Sequence, residues 1–165
     1  MKKGVIAVII LLILIALGAA FYFIYPAFNV IERNDSLYDT SINWRDNTIY
    51  VSGGESSENY PGLLYTGELV ADDHEVSGKV VVLDNNGKRM LRFEDFDTVN
   101  GPDLRIYLSE DTNAENFIDL GAIKGTRGNI NYEIPDNVDL EKYDKVLVWC
   151  RAFKVLFSHA DLESA

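Results

Sequence analysis

Hydrophobic residues fill the start of the chain without a break and farther on recur only in short runs. Residues 5–24 carry no charged side chain and, apart from Gly18 and Tyr22, consist almost wholly of Val, Ile, Leu, Ala and Phe. About 20 such residues, rising 1.5 Å each in a helix, cross a hydrocarbon core of roughly 30 Å. The pattern predicts one transmembrane helix within residues 1–25.

The charges on either side of this run determine its expected orientation. Lys2 and Lys3 precede the run, whereas Glu32 and Asp35 follow it. Because positive charge next to a membrane span stays on the cytoplasmic side, the N-terminus is expected in the cytoplasm. The sequence therefore predicts a single-pass protein of the cell membrane whose C-terminal domain is extracytoplasmic.

A cleaved signal peptide is the alternative interpretation of the same run. Gly18, Ala19 and Ala20 offer the small residues that a cleavage site needs. However, a signal peptide has an apolar core of roughly 7–15 residues, and this run is longer and continues into Phe21 and Ile24. The length of the run favours an anchor that is retained.

From about Pro61 the pattern changes to short apolar runs separated by turn residues. Leu104, Ile106 and Leu108 alternate with polar or larger residues, which is the period of a strand with one buried face. The candidate strands are residues 63–70, 76–83, 88–93, 104–108, 117–120, 130–134, 145–150 and 153–157. Seven or eight short strands with Gly, Asn and Pro between them predict an all-β, antiparallel β-sandwich, which we place at residues 61–163. The polar residues 26–60 are expected to form a stalk between the anchor and this domain.

Net charge and missing motifs exclude several classes of function. The net charge is -11, and an acidic surface repels the phosphates of nucleic acids, so no nucleic-acid partner is predicted. No nucleophile elbow, phosphate loop, dinucleotide fingerprint or zinc-ligand spacing occurs. We therefore assign no catalytic residue and do not favour an enzyme.

The densest polar stretch is residues 95–103. Asp95, Asp97 and Asp103 could supply oxygen ligands to a hard cation such as calcium. The alternative is a structured turn, because Asn and Asp bond to their own backbone and Gly and Pro favour turn geometry. The spacing is not that of an EF-hand, which favours the turn.

Cys150 is the single cysteine of the chain, so an intramolecular disulfide is excluded. Successive side chains of a strand point to opposite faces, so residues 145–152, taken as one strand, give two sets. The inward set is Val146, Val148, Cys150 and Ala152, and the outward set is Lys145, Leu147, Trp149 and Arg151. Periodicity thus predicts a buried thiol of low reactivity. A copper site built from Cys150, His74, His159 and Met90 is the rival hypothesis, but the close clustering typical of such sites is missing.

Six segments of the chain, in order, resemble a known family. The segments are HEVSG (74–78), LRFEDFD (91–97), NGPDLRIYL (100–108), DLGAIKG (119–125), YEIP (132–135) and VWCRAFKVLF (148–157). Through them the chain is similar to the "DM-thirteen" electron-transfer domain, the extracellular module of Skeletor-type proteins, from about residue 61 to 162.

The resemblance implies a β-sandwich-like domain that takes part in electron transfer, often beside DOMON and b-type cytochrome domains. It implies that Cys150, in the Trp-Cys motif, is the candidate redox residue, with Trp149, His74 and His159 as candidate supporting residues. A redox or cytochrome protein is the expected partner, since this chain has neither accompanying domain. No cofactor is predicted for the chain itself, and calcium, or haem or copper supplied by a partner, stays open. A non-redox binding or adhesion module at the cell surface is the alternative function.

Overall fold

The computed structural model describes residues 2–25, 29–36, 62–85 and 87–165. One long helix, α1, spans Lys2–Ile24. Its segment Gly4–Tyr22 is long and apolar enough to cross a membrane, a property that signal sequences share. The predicted N-terminal helix is therefore confirmed as a helix and as a candidate membrane span.

After α1, the regular secondary structure of the described chain is β-structure in two sheets. Sheet A has the strand order β1-β8-β5-β4-β2-β11, and sheet B has the order β3-β10-β9-β6-β7. All neighbours are antiparallel except β1 and β8. The strands are β1 Glu32–Asn34, β2 Leu63–Glu68, β3 Val70–Ala71, β4 Val76–Asn85, β5 Lys88–Thr98, β6 Leu104–Ser109, β7 Phe117–Ala122, β8 Arg127–Ile134, β9 Lys145–Cys150, β10 Val155–Asp161 and β11 Glu163–Ser164.

The apolar faces of the two sheets pack together to form one core. Leu104, Ile106 and Leu108 of β6 are buried, as the alternation predicts, and lie opposite residues of β9 on the same face. The same alternation predicts that Arg105, on the other face of β6, is exposed. It is instead partly buried and forms an ion pair with Asp119 at 2.7 Å. The all-β sandwich prediction is confirmed, and β9 and β6 lie side by side within sheet B.

The turn between β9 and β10 is longer than the sequence pattern indicates, and β10 is correspondingly shorter at its start. Residues 151–154 form a tight turn in which Lys154 has φ +56°, so β10 begins at Val155 and not at residue 153. Ala152, expected on the inward face, is consequently exposed in the turn, and Phe153 is also exposed. The inward face of the strand therefore ends at Cys150.

The outer face of sheet B is also partly covered. Leu147, predicted to point outward, is fully buried. It lies between Tyr107 and His159, which are its register partners on the two flanking strands. The Tyr107 ring stacks on Phe117 with 4.1 Å between ring centroids. Large side chains on neighbouring strands thus bury a residue that points away from the core.

A short strand occurs within the segment expected to be a stalk. Of residues 26–60 the structure describes 29–36, and β1 in this range pairs in parallel with residues 127–129 of β8. The Ile31 backbone also joins this edge, because its carbonyl accepts hydrogen bonds from the Thr126 and Arg127 N–H groups. Residues close to helix α1 are thus attached to the edge of sheet A.

Candidate functional site

The Cys150 thiol lies in the hydrophobic core. Cys150 ends β9, its register partners are Leu104 and Val155, and its side chain is 0% exposed. The same inner face carries the fully buried Ser158, whose Oγ is the one buried side-chain polar atom without a hydrogen-bond partner in the described part of the chain. A serine hydroxyl is not a base at neutral pH, so it does not activate the thiol.

Trp149 is the solvent-facing member of the Trp-Cys pair. It lies on the outer face of sheet B between Arg105 and Leu156, and its side chain is partly exposed. The residue after the pair, Arg151, donates from Nε to Asp103 at 2.7 Å and from its backbone N–H to the Asp103 carbonyl at 3.0 Å. These contacts fix the end of β9 to the turn before β6.

His159 lies within β10, and His74 packs against this strand. The His74 ring packs on Phe157 with 3.8 Å between centroids. His159 lies across from Leu147 on the outer face, and its Nδ1 is 2.6 Å from Asp72 Oδ2. Because Cys150 points to the inner face, the sheet separates it from His159.

The three aspartates proposed as cation ligands are engaged separately. Asp97 pairs with Arg127 at 2.9 Å, and Asp103 pairs with Arg151. Asp95 is an exposed residue with φ +48°, and its N–H donates to Asn129 Oδ1. Across the described ranges no group of three or more His, Cys, Asp or Glu residues is arranged to hold a metal ion.

The residues of the copper hypothesis do not fit a metal site either. Cys150 and His159 lie on opposite faces of sheet B, and Met90 lies in sheet A. Met90 instead lines an open depression of about 500 Å³ at the edge of β8. Its lining residues are Arg33, Asp35, Ser36, Lys88, Arg89, Met90, Lys124, Asn131, Tyr132 and Glu133. We call this feature the β8-edge depression. Its residues come from four separate stretches of sequence, so no local motif marks it.

Tyr132, which also lines this depression, is held in an unusual protonation environment. Burial raises the pKa of its phenol to about 12 from an ordinary value of 10.0. Its hydroxyl oxygen accepts the Lys124 N–H at 2.8 Å, which opposes this shift only in part. The phenol therefore stays neutral and fixed beside Lys124.

The raised pKa of Tyr132 predicts a loss of stability in alkali. The unfolded chain releases the phenol proton near pH 10 and the folded chain near pH 12, so the contribution is complete below pH 10 and is lost between these values. Between about pH 9 and about pH 11 the loss should reach about 1.4 kcal/mol. Urea unfolding of the wild type and of Tyr132→Phe at both pH values measures it. The variant should show a correspondingly smaller pH dependence, and an identical dependence in the two chains would contradict the assignment.

Taken together, the chain is a small β-sandwich domain with a long apolar N-terminal helix and one cysteine buried in its core. The family described as "Electron transfer DM13" matches residues 68–162, which is more than half of the chain, and the chain belongs to this family. The matched region includes Cys150 and extends from the end of β2 to Leu162. No curated protein and no solved structure matches the chain.

Proposed function

We propose that this protein is a membrane-anchored, extracytoplasmic accessory module for electron transfer that acts together with a redox partner protein. The observation that carries the proposal is the match to the electron-transfer family over residues 68–162. The domain itself offers no described cluster of metal ligands. The partner is therefore expected to supply the redox cofactor.

The role of Cys150 in this function depends on access to the thiol. A single thiol cannot cycle between dithiol and disulfide, since a disulfide needs two sulfurs. Formation of a sulfenic acid or of a mixed disulfide needs an accessible thiolate, whereas Cys150 is buried among apolar side chains. The geometry favours a structural Cys150 in the isolated domain, with redox activity only if a partner opens this part of the core.

The anchor and its orientation make a separate prediction. Lys2 and Lys3 begin helix α1 and precede its segment Gly4–Tyr22, which could cross a membrane, and positive flanks stay in the cytoplasm. External protease added to intact cells should therefore remove the domain, and the mature protein should keep its N-terminus. A protected C-terminus, or a mature chain that begins near Phe21, would contradict the retained anchor.

The experiment that tests the function uses the full-length chain, solubilised from its own membranes and recovered with its bound proteins. Reduced-minus-oxidised absorbance spectra of the recovered material should show a redox chromophore that the purified chain alone lacks. Cys150→Ala is the matched variant. Retention of the chromophore together with loss of its reduction would make Cys150 redox-active, whereas unchanged reduction would leave it structural.

The second candidate function is a non-redox binding or adhesion module. The observation that favours it is the complete burial of Cys150 in an apolar core. In that case the recovered partners would carry no chromophore, and the spectra would be flat.

A further inference from the structure

We propose that the β8-edge depression is a docking surface for an acidic segment of a partner protein. Its distinguishing feature is a set of three cations, Lys88, Arg89 and Lys124, that form no ion pair with any described residue. The other lysines and arginines of the two sheets pair with carboxylates, and they are Arg33, Lys79, Arg92, Arg105, Arg127 and Lys145. The concentration of uncompensated positive charge at one place indicates a surface for a negative partner.

Two of these cations are fixed in position by neutral groups. Arg89 Nη2 donates to the carbonyls of Pro135 at 2.9 Å and of Asp136 at 2.8 Å. Lys124 Nζ donates to the Asn131 carbonyl at 2.6 Å. Carbonyl partners hold a side chain without neutralising its charge, so little side-chain entropy is lost when an anion binds.

The two carboxylates that line the depression do not cancel this charge. Asp35 is committed to its own neighbours, because one carboxylate oxygen accepts from Arg33 at 2.7 Å and the other from the Asn131 N–H at 3.0 Å. Glu133 is exposed and, in the described part of the chain, forms no ion pair. Lys88, Arg89 and Lys124 thus outnumber the one uncommitted carboxylate.

The shape and the overall charge favour an extended acidic segment. Strand β1 pairs only with residues 127–129 of β8. In the described structure residues 131–133, which line the depression, have no strand partner on that side, and the Asn131 backbone bonds there to the Asp35 and Lys124 side chains. The chain as a whole carries a net charge of -11. An acidic segment is therefore attracted here and repelled over most of the remaining surface, which would orient a partner. The proposal does not depend on whether that partner carries a redox cofactor.

A short fluorescein-labelled oligoglutamate peptide is a suitable probe, titrated onto the full-length chain in a neutral detergent at low ionic strength. The peptide should bind, and binding should weaken as salt is added because exposed charges are screened over about 8 Å at physiological ionic strength. Lys88→Glu should weaken binding about tenfold, since it places a like charge against the peptide. Absence of binding to the wild type would overturn the proposal.

Lys154→Glu is the matched control. Lys154 is another cation without an ion pair among the described residues, but it lies in the β9–β10 turn outside the depression. The Lys154→Glu variant changes the net charge by the same amount as Lys88→Glu, and it should alter the affinity for the peptide less than about twofold. Equal losses of peptide affinity in Lys88→Glu and Lys154→Glu would mean that only the net charge matters, and would overturn the proposal. Citrate should compete only weakly, and citrate that bound as tightly as the peptide would overturn docking of a segment in favour of a small-anion site. Thermal unfolding of each variant verifies that it is folded.

Discussion

Replacing Arg92 by alanine is expected to lower the free energy of unfolding by about 3 kcal/mol. Arg92 lies on the outer face of sheet A, yet its side chain is 5% exposed. Its Nε donates to Glu94 Oε1 at 3.1 Å, and its Nη1 donates to Asn131 Oδ1 at 2.9 Å and to the Asp35 carbonyl at 3.1 Å. Glu94 is itself 6% exposed. Without Arg92, the buried Glu94 keeps Lys79, at 3.8 Å, as its cation among the described residues.

The cost arises because burial strips water from both charges. A buried carboxylate that loses its close cation also loses the attraction that compensated its desolvation. Because Glu94 retains its contact with Lys79, the expected loss of unfolding free energy lies at the lower end of the range for removing one partner of a buried ion pair. The contact of Arg92 with Asp35 adds a second consequence, because it connects the residues next to β1 to the middle of sheet A.

Arg127→Ala is the matched control for this prediction. Arg127 also pairs with an aspartate of β5, Asp97, at 2.9 Å, but both side chains are close to half exposed. An exposed ion pair is worth less than about 1 kcal/mol, so this variant should be nearly as stable as the wild type. Urea unfolding of the full-length chain in detergent, followed by tryptophan fluorescence, compares the two. Equal losses for Arg92→Ala and Arg127→Ala would show that burial does not strengthen the Arg92 contacts.

Replacing both members of the pair separates attraction from desolvation. In Arg92→Leu with Glu94→Leu no buried charge of the pair remains, so the double variant should be more stable than Arg92→Leu alone. A double variant less stable than the single one would mean that Glu94 stabilises the fold independently of Arg92.

The strands of the sandwich could be predicted because their alternation is enforced by the core. Leu104, Ile106 and Leu108 must all meet the opposite sheet, and a slip of one residue would expose all three. β1 could not be predicted in the same way. Its three residues, Glu32–Asn34, are polar and exposed, and what positions them is pairing with a strand that lies more than ninety residues farther along the chain.

In the candidate site, too, the features set by local periodicity could be predicted, whereas those set by contacts between distant residues could not. Burial of Cys150 follows from the period of its own strand, and that prediction is confirmed. Ala152 does not follow, because residues 151–154 form a turn with a positive φ at Lys154, so the strand ends at Cys150. No pattern in the sequence indicates the β8-edge depression. Lys88 and Lys124 line the same depression because β5 pairs with β8 and Lys124 bonds to Asn131 and Tyr132 of β8. Single charged residues in a sequence do not indicate which of them will find a partner.

The second large effect is expected in the chemistry of Cys150. In the folded chain the thiol should react with a maleimide reagent at least a hundredfold more slowly than in urea, because reaction needs an exposed thiolate. The side chain is 0% exposed and belongs to the apolar cluster between the sheets. Urea unfolds the chain and exposes the same thiol, so the rate of the maleimide reaction in urea is the reference rate for each preparation.

Stability measurements on two variants show whether the residue is structural. Cys150→Ser should cost on the order of 1–3 kcal/mol, because it buries a hydroxyl among apolar side chains. Cys150→Ala removes the sulfur but adds no polar group, so it should cost less than Cys150→Ser. The neighbouring strand already contains Ser158, whose Oγ has no hydrogen-bond partner among the described residues, so Ala rather than Ser is the conservative replacement at this depth. Rapid labelling of the folded chain at neutral pH, together with a neutral Cys150→Ser, would place the thiol outside the core in solution. Electron transfer through Cys150 would then become the favoured mechanism, because the access that sulfenic acid or mixed-disulfide chemistry needs would exist without a partner.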